Sequence, residues 1–148
     1  MRSAVALLLV AALAACAKKE EATPDSAAAA AAPAAPTVAS FAGTWASAAV
    51  LEGSPDTVKS TLTIGADGSC SLMLPDRPAV TCTTSMSGDS LVVQTSEYES
   101  IMRKGVMTSV RSASVMSGST MTGSLVSTYK MPSGEQKVNG TITSTKAP

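Results

Sequence analysis

The feature that constrains this chain most is a phase relation. Between Val58 and Ile142, short runs of alternating apolar and polar residues are separated by turn signals, and the apolar faces match from one run to the next. Val58, Leu62 and Ile64 share one face of the first clear run. Across Ala66-Asp67-Gly68, Cys70 then falls opposite Ile64 and Leu72 opposite Leu62. Across Pro75-Asp76-Arg77, Val80 meets Leu72 and Cys82 meets Cys70, and across Ser87–Ser90, Leu91 meets Met86 and Val93 meets Thr84. Met116 and Met121 flank the turn Ser117–Thr120, and across Pro132–Glu135 the same reading sets Leu125 opposite Ile142 and Tyr129 opposite Val138. A slip of one residue reverses the whole face of a strand, so agreement across successive loops is a demanding test of strand pairing.

The pattern predicts an all-β domain built as an antiparallel meander. With further runs at Gly43–Val50 and near Val106–Met116, it comes to about eight strands. Eight sequential strands in so short a domain point to a small closed up-and-down barrel, because closure removes sheet edges. A β-sandwich is the alternative architecture. Glu97–Gly105 breaks the pattern and reads as either a helical turn or a long loop. In the barrel, Leu62, Leu72, Val93, Leu125 and Tyr129 would line the interior, with Ser and Thr between them.

The composition divides the chain into three parts. Residues 1–15 carry Arg2 and then an apolar stretch from Ala4 to Ala15, the layout of an export signal. That stretch is too short to span a bilayer as a helix. Leu13-Ala14-Ala15-Cys16 resembles the lipobox of bacterial lipoproteins. The resemblance implies that residues 1–15 are removed, that Cys16 becomes the lipidated N-terminus, and that two or three acyl chains (palmitate is typical) anchor it durably. It places the protein in the cell envelope, at the outer membrane facing the periplasm. Residues 16–37 are then a lipidated end followed by a charged, Ala- and Pro-rich tether, and residues 38–148 form the domain.

The domain is rich in hydroxyls: 35 of its residues are Ser or Thr. Without residues 1–15 the chain has ten Lys/Arg against eleven Asp/Glu, which offers no basic stripe for nucleic acid. With one Trp, one Phe and two Tyr it also lacks stacking platforms for bases. No cofactor is expected. In an exported chain the two remaining cysteines, Cys70 and Cys82, form an even pair that the register places face to face, and we read them as a structural disulfide. Two buried free thiols or a redox or metal pair are the alternatives, but the spacing is not C-x-x-C and the chain has no histidine.

The absence of histidine removes Ser-His-Asp and Cys-His catalysis and histidine-based zinc sites. Glu97 and Glu99 stand close together, but their neighbours Thr95, Ser96 and Ser100 mark a solvated rim rather than an apolar pocket that would separate their pKa values. The protein therefore reads as a non-enzyme. Seven methionines outside the initiator are spread along the chain and read as core filler rather than a copper site; no metal is expected.

Gly43-Thr44-Trp45, at the head of the meander, resembles the G-x-W motif that opens lipocalin-like barrels. The resemblance implies that Trp45 closes one end of the barrel and that a cavity at the other end takes a small apolar ligand or lipid. The chain departs from that family in two ways: the family's arginine over this Trp, near the last strand, has no counterpart, only Lys137 or Lys146, and the T-D-Y-type loop motif is missing. The leading expectation is thus a membrane-anchored lipocalin-like binding module. The alternatives are a periplasmic protein–protein module, such as a protease or lysozyme inhibitor acting through Glu97–Gly105, and a structural envelope lipoprotein without a ligand.

Overall fold

The computed structural model describes residues 34–148. The expected signal segment, Cys16 and most of the expected tether lie outside the described residues. Short β-branched and hydroxyl-rich runs, punctuated by glycine turns, form strands here. They are β1 (Gly43–Leu51), β2 (Thr57–Ile64), β3 (Ser69–Met73), β4 (Val80–Ser87), β5 (Ser90–Thr95), β6 (Tyr98–Glu99), β7 (Met107–Ser117), β8 (Thr120–Met131) and β9 (Gly134–Lys146). Every pairing is antiparallel. Each long strand bonds to the next in sequence, β5 bonds to β7, and β1 bonds to β9. The result is a closed eight-stranded up-and-down barrel, with β6 as a two-residue extension along the edge of β7 where β5 ends. A sandwich is set aside, since one sheet closes on itself.

The expected cross-strand pairs hold for Ile64–Cys70, Leu62–Leu72, Leu72–Val80, Cys70–Cys82, Met86–Leu91, Thr84–Val93 and Met116–Met121. The last hairpin corrects the expectation. Leu125 pairs with Gly140 rather than Ile142, and Tyr129 pairs with Gln136 rather than Val138. The ladder continues to Met131–Gly134, so Pro132 and Ser133 alone make the turn. The shift is two residues, which moves the partners along the strand but leaves the inward faces inward.

The core divides into two apolar groups at opposite ends of the strands. Phe41, Trp45, Leu62, Ile64, Leu91, Val93 and Met121 form the first, where β1 begins. Leu51, Leu125 and Tyr129 form the second, with Met102, Val110 and Ile142 packed on them. The first end is capped. A 3₁₀ turn at Val38–Phe41 brings Phe41 and Trp45 to full burial, and the indole Nε1 donates to the Phe41 carbonyl at 2.9 Å. That bond satisfies the one polar group of a side chain whose burial is worth about 1.5–3 kcal/mol.

Cys70 and Cys82 are joined, with their Cα atoms 4.9 Å apart, bracing β3 to β4 beside the capped end.

Candidate functional site: the barrel cavity

Alternation sends every second residue of each strand inward. At mid-height these residues are small: Ser47 and Ala49 on β1, Ser60 on β2, Ser112 on β7, Ser127 on β8. A barrel this narrow is normally filled by its side chains. Here the small residues between the two apolar groups leave a cavity of about 80 Å³. One water needs on the order of 10–15 Å³, so the space holds several waters, yet it is far below the roughly 300–1,000 Å³ of drug-sized ligand pockets.

All five residues read from the sequence as interior-lining reach this cavity: Leu62, Leu72, Val93, Leu125 and Tyr129. Around them stand hydroxyls in two states. Ser47 and Ser144 share a hydrogen bond of 2.7 Å, and Thr108 bonds Ser127 at 3.0 Å and donates to the Thr128 carbonyl at 3.0 Å. Thr95 Oγ1 accepts from the Val110 N–H at 2.9 Å. By contrast Ser60, Ser112, Tyr98 and Tyr129 also line the cavity and make no side-chain hydrogen bond to another described residue. Among the described residues, no carboxylate, amine or guanidinium lines the cavity. The chamber therefore offers apolar contact and uncharged donors and acceptors.

The mouth is crossed by the segment that the sequence left as either helix or loop. It is a loop: after β6, Ser100 to Val106 double back, with the Ser100 N–H donating to the Val106 carbonyl at 2.7 Å. Ser100 Oγ accepts from the N–H groups of Met102 and Arg103, both at 3.1 Å, which tightens the turn. Met102 packs into the second apolar group, and Ile101 and Met102 line the cavity from above. The loop thus lies over the barrel rather than protruding from it. The large exposed apolar residues Val50, Met73, Ile101, Met107 and Val115 are spread over three strands and the loop.

Three residues, Glu97, Glu99 and Arg103, pin this cover. Glu97 pairs with Lys130 of β8, and Arg77 Nη1 donates to the Glu99 carbonyl at 2.7 Å. Arg103 lies over the Tyr129 ring, 4.4 Å from its centroid, and donates to Gln136 Oε1 at 2.6 Å. Glu99 Oε1 accepts from the Gly105 N–H at 2.9 Å. Glu97 and Glu99 are both exposed rim residues outside the cavity. Burial of the Tyr98 phenol, reinforced by nearby Tyr129 and partly offset by Arg77, pushes its pKa up to about 12.

The opposite end explains Gly43 and Trp45. Lys146 pairs with Trp45 across β1 and β9, and its Nζ lies 5.4 Å from the indole centroid. Of the two lysines, Lys146 is the one that lies over the Trp. Gly43 has φ +133°, a conformation that other residues rarely adopt, so the backbone there calls for glycine.

Sequence reasoning missed the cover: Tyr98, Ser100, Ile101 and Met102 line the cavity from a segment with no strand periodicity. The one available signal was the apolar pair Ile101-Met102 inside an otherwise polar loop. Cys16 lies outside the described residues.

No family model matches the chain, and no curated protein matches it. Among solved structures it is similar to intact afifavidin in its apo form, at TM-score 0.42 and 18% identity over 70% of this chain and 81% of that one. It is also similar to rhizavidin in complex with biotin, at TM-score 0.40 and 12% identity over 70% of this chain and 92% of that one. Likeness at this level concerns the course of the chain and extends to no individual residue of the cavity.

Proposed function

We propose that the protein is an envelope lipoprotein, held to the outer membrane through acyl chains on Cys16. Its barrel takes a small apolar ligand whose buried part is uncharged. The observation that carries the binding reading is the hollow at mid-height, where Ser60 and Ser112 stand with unshared hydroxyls between two apolar groups. A barrel selected only for stability gains from Leu or Val at such positions, since each buried methylene contributes about 0.8 kcal/mol. The anchoring reading rests on the lipobox-like Leu13–Cys16.

The full chain carrying Cys16→Ser tests both parts. The exchange should move the protein from the membrane to the soluble fraction, and persistence in the membrane contradicts the anchor. The released chain should melt higher in the presence of small apolar compounds. A ligand at one hundred times its Kd stabilises by about 2.7 kcal/mol, which is several degrees for a domain of this size. An unchanged melting temperature across alcohols, fatty acids and phospholipids contradicts the binding reading.

A further inference from the structure

The cavity wall is uncharged and its rim is not. Two guanidinium groups stand at the cover, Arg77 from the β3–β4 connection and Arg103 within the covering loop itself. Arg77 is engaged by a main-chain carbonyl. Arg103 is half-buried, and each of its partners is neutral: the Tyr129 ring, Gln136 Oε1 at 2.6 Å and Met131 Sδ at 3.9 Å. The ion pair found among the described residues, Glu97–Lys130, leaves Arg103 without a carboxylate. The acid nearest in its own loop, Glu99, is turned to the Gly105 N–H.

A guanidinium presents five donors in a planar fork, and its Nε/Nη2 edge matches the two oxygens of a carboxylate. The hydrogen bonds that the Arg103 guanidinium makes to described residues use Nη1 alone, which leaves that edge uncommitted among them. A half-buried cation with neutral partners and a free bidentate edge is suited to an anion. Its place matters as much as its charge. Tyr129, directly beneath the guanidinium, is 2% exposed and forms part of the cavity wall. A molecule whose apolar end occupies the chamber and whose other end emerges beside Tyr129 meets Arg103.

The span sets the length of such a molecule. On β8 the cavity runs from Leu125 to Tyr129, roughly 13 Å at about 3.3 Å per strand residue. The interior volume admits the distal part of one unbranched chain, and Met102, an unbranched and adaptable side chain, is the covering residue that yields most easily.

From this juxtaposition we infer that the ligand is a medium-chain carboxylic acid, with its chain in the cavity and its carboxylate on Arg103, which acts as the specificity residue for the charged end. The inference rests on the cavity being a ligand site and adds the chemical class.

The test compares decanoate with decanol, the uncharged compound of the same chain length, by titration calorimetry on the full chain carrying Cys16→Ser. Decanoate should bind at least about tenfold tighter than decanol near neutral pH, the scale of one charge-assisted hydrogen-bonded pair. Arg103→Gln should abolish the preference, bringing decanoate to the level of decanol in that same variant, whose decanol binding shows that it is folded. Lys104→Gln, which removes the adjacent exposed charge, should leave decanoate within about twofold, as expected of a surface charge. Equal affinity for the two compounds in the parent chain overturns the inference. So does an Arg103→Gln variant that weakens both alike, or a Lys104→Gln loss as large as that of Arg103→Gln. If neither compound binds, the cavity reading falls together with it, whereas decanol binding alone removes only the role of Arg103.

Discussion

Ser47 and Ser144 are both buried, and among the described residues their only side-chain partners are each other, at 2.7 Å. Removing one hydroxyl strands the other in a closed barrel, which costs about 1–3 kcal/mol, whereas removing both is nearly neutral. Ser144→Ala should therefore destabilise the protein in urea more than the double variant Ser47→Ala/Ser144→Ala does. Equal losses contradict the pairing. Tyr98 adds a pH signature. Its phenol titrates at about 12 in the folded chain against an ordinary value of 10.0, so the unfolded chain releases this proton first. Its contribution to stability is fully present below pH 10.0 and is lost as pH rises through about 12. Tyr98→Phe should flatten that alkaline loss in a series of melts, and an unchanged profile contradicts the burial of the phenol.

At the scale of the element, the β3–β4 hairpin shows how far sequence reasoning reaches. Cys70 and Cys82 face one another in the register that pairs Leu62 with Leu72 and Leu72 with Val80, which keeps the apolar face inward and excludes a slip of one residue. The bridge closes a short loop, and breaking it as Cys70→Ala/Cys82→Ala should cost about 3 kcal/mol on the chain-entropy account. A double variant as stable as the parent chain contradicts a structural role for it. The β8–β9 hairpin shows the limit. Alternation fixes which face of Leu125 and Tyr129 turns inward, but a displacement of two residues preserves that face, so the pattern is blind to the choice between a two- and a four-residue turn. Met131–Gly134 closes the ladder in the structure and settles it. The 97–106 cover was less legible still. Its shape comes from single contacts, Ser100 Oγ on two N–H groups and Arg103 on Tyr129 and Gln136, and such contacts have no period to read.

At the scale of the whole molecule, the barrel wears its polarity outward. Thr61, Thr63, Thr122, Thr141, Thr143 and Thr145 are exposed on the outer face, while the apolar side chains gather inside in two groups. That arrangement is the reverse of a membrane-spanning barrel with its apolar outer band. One end is capped by Phe41 and Trp45 and the other is covered by a loop pinned at Glu97, Glu99 and Arg103. Between them the cavity exists because Ser and Ala replace larger residues at mid-height, and the central claim is that this space is for a ligand. Native mass spectrometry of the full chain with Cys16→Ser, beside the same chain carrying Ser112→Leu, tests that claim most directly. Ser112 lines the cavity without a hydrogen-bond partner among the described residues, so Leu there fills the space with little other loss. The account predicts a non-covalent small-molecule adduct on the first protein, whether carried through purification or added as decanol, and a bare mass on the second. A bare mass for both, or an adduct that survives Ser112→Leu, contradicts it.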